Sequence, residues 1–192
     1  HLMENDPEIE AMLGRMREAR NLFIVACGTS YHAGLLGSVY FSRLAGRVSI
    51  PVIAPQFIAQ YAPAANPEDV GIFVSQSGET KDVLNAIQAA EGRGMGVLGV
   101  VNVVGSTLMR DSEYHVPLAC GYEISVPATK TFMNQAVAFL FLALRLGGHG
   151  TAFLENLPQW IEDTISAVEE QIPEVEGKIS PWDDLYCLGY GL

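Results

Sequence analysis

The chain has 192 residues, 49% hydrophobic and 17% charged, with a mean hydropathy of +0.21. That is enough apolar side chain for one buried core and excludes intrinsic disorder. Twenty-two acidic against 11 basic residues leave a formal charge of −11 and a pI near 4.7, opposite to the basic footprint that a nucleic-acid backbone demands.

His1-Leu2-Met3 reads as an expression remnant ahead of a natural start, and no secretory signal is expected. Residues Pro7 to Arg20 place Ile9, Met12, Leu13 and Met16 at helical spacing, which predicts a lead-in helix. Five apolar runs follow, at Leu22 to Ala26, Val48 to Ala54, Val70 to Val74, Val97 to Val101 and Tyr114 to Ala119. Between and after them lie stretches of helical length, Ser30 to Ala45, Pro55 to Tyr61, Glu79 to Arg93 and Ala128 to Leu146. Strands that are apolar without alternation are covered on both faces. The expected architecture is therefore a three-layer α/β/α sandwich on a five-stranded parallel sheet. Gly147-Gly148-His149-Gly150 ends the last helix. Ala152 to Ile179 reads as one or two amphipathic connector helices interrupted or capped near Pro158 and Pro173. Asp184 to Leu192 looks like a strand entering a glycine turn, the start of a further domain. The expected division is thus 1–20 remnant and lead-in, 21–150 the main domain, 151–183 connector, 184–192 a second domain's first strand.

The first strand runs into Cys27-Gly28-Thr29-Ser30, and the third into Ser75-Gln76-Ser77-Gly78-Glu79-Thr80. Both place hydroxyls at a helix start, where backbone N–H groups and the helix dipole attract an anion. An ordinary N-cap explains one such hydroxyl, not all of them. In an open α/β sheet, ligands bind beyond the carboxyl ends of strands, so the two motifs are expected to share one crevice. A cradle of this kind holds phosphate without a cationic cluster, which suits a chain of net negative charge. The Walker and G-x-G-x-x-G patterns are absent. A third segment, residues 121–130, links the fifth strand to the last sheet helix. Its Glu123 and Lys130 read as helix-start and surface groups rather than acid–base catalysts.

His32, His115 and His149 have no partner spaced to make a triad or a metal site. No metal and no cofactor are expected. Cys27 reads as a packed thiol, and Cys27, Cys120 and Cys187, odd in number, fit a reducing cytoplasm. The longest strongly apolar stretch, residues 136–144, is far short of the ~18–20 needed to cross a bilayer. Neither membrane nor nucleic acid is expected as a partner. Phe132, Phe139, Phe141 and Leu142 crowd both sides of the last sheet helix, which suggests burial against the sheet and against a second apolar surface, a dimer or interdomain contact.

The strings CGTSYHAG at 27–34, SQSGETKDVL at 75–84 and EISVPATKTFMNQ at 123–135 resemble the sugar isomerase (SIS) domain family, and within it the first SIS domain of glucosamine-6-phosphate synthases. The resemblance covers residues 12 to 192. It implies a flavodoxin-like domain that, with a second SIS domain, converts fructose 6-phosphate to glucosamine 6-phosphate using ammonia from a separate glutaminase domain. Carried over residue by residue, it implies Ser30, Ser75, Gln76, Ser77 and Thr80 on the sugar phosphate, with Thr29 and the Val126 backbone beside the sugar. It also implies a homodimer. The family's base Glu, ring-opening His and Schiff-base Lys come from other parts of the enzyme, so no catalytic residue is expected in these 192. One position departs: Ala128 stands where synthases commonly carry Ser. A glutaminase-free phosphosugar isomerase or aminosugar-phosphate deaminase therefore stays open, as does a non-enzymatic phosphosugar sensor. The sensor's DNA-binding helices find too little chain ahead of the first strand.

Overall fold

A computed structural model describes residues 6–121, 123–124 and 128–186. The chain divides into two compact units, His1–Thr151 and Ala152–Leu192.

In the first unit, Asp6 caps helix α1 (Pro7–Glu18), accepting from the Glu8 N–H at 2.8 Å. The helix buries Ile9, Met12, Leu13 and Met16, the four residues that the periodicity singled out. Strands β1 (Leu22–Ala26), β2 (Ile50–Ile53), β3 (Val70–Ser75), β4 (Gly96–Val101) and β5 (Tyr114–Pro117) form one parallel sheet in the order β2-β1-β3-β4-β5. The three inner strands are buried at every residue, whereas β2 and β5, at the edges, are buried only in part. Continuous apolar runs thus mark the centre of the sheet, where helices cover both faces.

Helix α2 (Gly28–Ala45) and helix α6 (Lys130–Leu146) lie on the same face as α1. Gly37 brings α2 and α6 together: a Cβ there would come within 2.7 Å of the Phe139 ring. Phe139 in turn meets Phe41 edge-on, with centroids 6.0 Å apart. On the opposite face, Phe23 and Phe73 of the sheet pack edge-on against Phe57, and Val83, Ala86, Ile87 and Ala90 of helix α4 (Lys81–Glu91) complete that half of the core. Between β2 and β3 the expected single helix is instead a short α3 (Ala54–Gln56), a wide π-type turn (Phe57–Tyr61) and a 3₁₀ turn (Ala62–Ala64). Pro55 and Pro63 sit at the first turns of the α and 3₁₀ pieces, where a missing N–H costs no hydrogen bond.

Three other expectations shift. Helix α2 starts at Gly28, two residues before the expected Ser30, and α4 starts at Lys81 rather than Glu79. Helix α5 (Thr107–Asp111) had no counterpart in the apolar pattern, because only Leu108 of its five residues is buried. Of the four residues singled out on α6, Phe139, Phe141 and Leu142 are fully buried within this unit and Phe132 is half-buried.

The second unit contains a 3₁₀ turn (Ala152–Asn156) and helices α7 (Leu157–Glu169) and α8 (Ile172–Ile179). Pro158 and Pro173 sit in the first turn of each helix and interrupt neither. Phe153 stacks on Trp160 at 6.5 Å. Asp184, Leu185 and Tyr186 carry no regular structure. The rest of the expected terminal strand, residues 187–192 with Cys187, lies outside the described residues, as do residues 1–5, Tyr122 and residues 125–127.

Candidate functional site

Strands β1 and β3 are neighbours, with Ala26 opposite Val74 at their carboxyl ends. From β1 the sheet is extended by β2 on one side and by β3 on the other, so the strand order reverses here, the position at which such sheets bind ligands. A crevice of about 240 Å³ opens at this point, lined by Cys27, Gly28, Thr29, Ser30, Val74, Ser75, Gln76, Ser77, Thr80 and Ala128. The motifs after β1 and β3, 40 or more residues apart in sequence, meet in it. Six of the seven substrate residues expected from the sequence line the crevice; the seventh, Val126, lies outside the described residues.

The loop after β3 is held in shape by its own hydroxyls. Ser75, 3% exposed, accepts from the Gly78 N–H at 3.0 Å, and its Oγ lies 3.0 Å from Thr80 Oγ1. Ser77 Oγ accepts from the Glu79 N–H at 3.1 Å. Gly78 takes φ +68°, a conformation that favours glycine, and a Cβ there would fall 2.1 Å from Ser106 Oγ. Helix α5 braces the loop from outside: the Thr107 N–H donates to Glu79 Oε1 at 2.8 Å and the Leu108 N–H to the Gly78 carbonyl at 3.1 Å. Hydrogen bonding from Thr107 holds the Glu79 carboxyl below its ordinary pKa. Glu79 therefore faces α5, not the crevice lining.

The hydroxyls are not consumed by capping. Cys27 and Thr80, the cap positions of α2 and α4, make no side-chain cap bond. Each hydroxyl has one proton and two lone pairs. Ser77 accepts from a backbone N–H and keeps its proton. Ser30 accepts from Gln135 Nε2 at 2.9 Å and keeps its own. The Ser75–Thr80 pair uses one of its two protons internally. The Thr29 hydroxyl and the Gln76 amide have no partner among the described residues. The site is a ring of neutral donors at the N-terminal ends of two helices, suited to a multiply charged anion. Among its described lining residues the one titratable group, Cys27, is pushed up in pKa by burial and stays uncharged. The thiol also packs against the core.

Glu123 is spoken for. Its carboxylate accepts from the Thr129 and Thr131 N–H groups, at 3.3 and 2.9 Å, and from the Thr129 hydroxyl at 3.4 Å. Chiefly the Thr131 bonds, helped by Thr129 and Lys130, pull its pKa down to about 2. It closes the start of α6, as the sequence suggested. The histidines do not gather: His32 is exposed beside the Tyr31 ring, His115 is on β5, and His149 bonds the Leu44 carbonyl at 2.9 Å. Among the described residues no three His, Cys, Asp or Glu side chains are grouped to hold a metal, and no helix is long and apolar enough to cross a membrane.

Sequence reasoning missed Gln135 and Ser106. A signal for Gln135 was there: an amide four residues before Phe139, on the buried side of an apolar helix.

The chain has counterparts among known proteins. Residues 15–145 match the SIS domain. The glutamine–fructose-6-phosphate aminotransferase (isomerizing) of Aeropyrum pernix is 38% identical over 198 residues, covering 97% of this chain and 32% of that protein. The Aquifex aeolicus protein of the same name is 37% identical over 183 residues, covering 94% and 31%. The chain thus spans about a third of the length of these relatives. Among solved structures, the C-terminal domain of glucosamine-fructose-6-phosphate aminotransferase from Francisella tularensis superposes with a TM-score of 0.68 at 26% identity, over 88% of this chain and 49% of that one. Glucosamine-6-phosphate deaminase from Thermotoga maritima shares the fold, with a TM-score of 0.66 at 22% identity over 84% and 52%. With the parallel five-stranded sheet, the hydroxyl loop and the matched span in agreement, this chain belongs to the SIS domain family.

Proposed function

We propose that the crevice between β1 and β3 binds the phosphate of a hexose 6-phosphate, either fructose 6-phosphate or glucosamine 6-phosphate. In this reading the chain is the first SIS module of an isomerizing glutamine–fructose-6-phosphate aminotransferase. The observation that carries it is the convergence of Thr29, Ser30, Ser75, Gln76, Ser77 and Thr80 on one crevice at the strand-order reversal. The names and identities of the curated relatives support the choice of substrate. In the whole enzyme residues 151–183 would lead into a second SIS domain. A glutaminase domain, a homodimer and a cytoplasmic setting complete the reading.

Binding and chemistry separate here. Moving a proton between adjacent sugar carbons needs a positioned general base, and the described lining residues include no carboxylate and no histidine. The cradle's part is to fix the phosphate and hold the sugar in place, while the acid, base and amine groups come from elsewhere in the enzyme. These 192 residues are expected to bind the phosphosugar and turn nothing over. Ala128 in the lining, where synthases commonly carry Ser, favours a second reading, a glutaminase-free phosphosugar isomerase or deaminase.

Calorimetric titration with fructose 6-phosphate, glucosamine 6-phosphate and fructose tests the assignment, repeated with Ser77→Ala. Only the phosphorylated sugars should bind, and the variant should bind them more weakly. Equal binding of fructose, or no effect of the substitution, overturns the cradle. A measurable isomerase rate from this chain overturns the division of labour.

A further inference from the structure

Ser30, the third residue of α2, lines the crevice, and the group behind its hydroxyl comes from a helix more than a hundred residues away. Gln135, on α6, is 1% exposed and donates Nε2–H to Ser30 Oγ at 2.9 Å. A buried amide is costly unless hydrogen-bonded, and this one is spent on a hydroxyl of the cradle. With one lone pair of Ser30 taken by the amide, the serine has its proton left to give, and the crevice is the space that it lines.

We propose that Gln135 is a positioning residue for the anion cradle, orienting the Ser30 hydroxyl as a donor to the bound phosphate; the proposal rests on the phosphosugar reading above. The alternative, that the amide merely glues α2 to α6, is disfavoured by its neighbours. Phe139 lies one helical turn further along the same face of α6. Its ring occupies the space that a Cβ on Gly37 would need, and it packs edge-on to Phe41. Shape therefore locks the two helices together just beyond the hydrogen bond, and the amide is left to aim a hydroxyl.

The test is a double-mutant cycle on affinity for fructose 6-phosphate, read by calorimetry on the wild type, Ser30→Ala, Gln135→Met and the double variant, with a thermal melt of each. Ser30→Ala should weaken binding by about tenfold or more, and Gln135→Met, which keeps length and shape, by about three- to tenfold. Because the amide acts through the serine, the double variant should match Ser30→Ala to within about twofold. Losses that simply add, or wild-type affinity in Gln135→Met, overturn the proposal. If Gln135→Met melts too low to titrate, Gln135→Glu replaces it: its carboxylate accepts the Ser30 proton instead of donating, so affinity at neutral pH should fall at least as far as in Ser30→Ala. Unchanged affinity there also overturns the proposal. A wild type that binds no sugar phosphate refutes the phosphosugar reading itself, whereas a wild type that binds with an additive cycle refutes Gln135 alone.

Discussion

Gly78→Ala probes the floor of the cradle. The residue has φ +68°, and holding a Cβ-bearing residue in the left-handed region costs about 1–2 kcal/mol. The new methyl would fall 2.1 Å from Ser106 Oγ, 2.5 Å from Ser106 Cβ and 2.9 Å from Val101 Cγ2. Both neighbours are buried, at 3% and 1% exposure, so neither can swing into solvent, and overpacking of this kind costs about 1–3 kcal/mol. The expected total is about 2–5 kcal/mol, a large share of the ~5–15 kcal/mol that holds a domain together. Each kcal/mol lowers Tm by about 2–4 °C in a chain of this size. Urea unfolding gives the energy directly, and the partner variant identifies its source. Ser106→Gly removes the two nearest atoms. On its own it should cost only a few tenths of a kcal/mol, because glycine is tolerated at the N-cap of α5 and the Ser106 hydroxyl has no partner to lose. In the double variant the clash is mostly relieved and about 1–2 kcal/mol of backbone strain remains. A Gly78→Ala protein within about 0.5 kcal/mol of wild type, or one that Ser106→Gly does not rescue, would refute this account of the loop.

Three further outcomes are expected. Ser75→Ala leaves the buried Gly78 N–H without its acceptor and should cost about 1–3 kcal/mol in urea unfolding; a loss below about 0.5 kcal/mol would mean that the loop holds its shape without Ser75. The Glu123 carboxyl sits at about 2 against an ordinary 4.5, a depressed carboxylate, so its contribution to stability is complete above about pH 4.5 and fades as pH falls toward 2. Thermal melts of the wild type should therefore drop more steeply across that window than those of Glu123→Gln, and parallel profiles would contradict the hydrogen bonds assigned to Glu123. Finally, a cradle lined by neutral donors in a chain of charge −11 should bind fructose 6-phosphate as well or slightly better when salt rises from about 0.05 to 0.5 M, because screening removes repulsion rather than attraction. A tenfold loss over that range in a calorimetric titration would reveal a cation in the site.

The five strands, the burial of the three inner ones on both faces and the two hydroxyl-rich turns were legible in the chain itself. Each is a local pattern: an apolar run of strand length, or a cluster of hydroxyls around a glycine, carries its meaning within a few residues. The general rule for open α/β sheets was then enough to bring residues 27–30 and 75–80 to one crevice, and the Glu123 carboxylate could be placed at a helix start from its position ahead of α6. What the chain did not disclose lies between elements. Helix α5 escaped because one buried leucine in five residues makes no periodic signal. The segment after β2 looked like one helix because its apolar spacing says nothing of how tightly the turns are wound. The crowding of aromatic residues on α6 did not say which neighbour takes Phe139, and Gly37 lets α2 approach closely enough to bury it within the domain. Ser106 beneath Gly78 and Gln135 behind Ser30 depend on the rotation of one helix about its axis and the depth of its packing on another, quantities set by side-chain shape across the whole core. Local pattern thus decided which residues line the crevice, and tertiary packing decided which way their protons point.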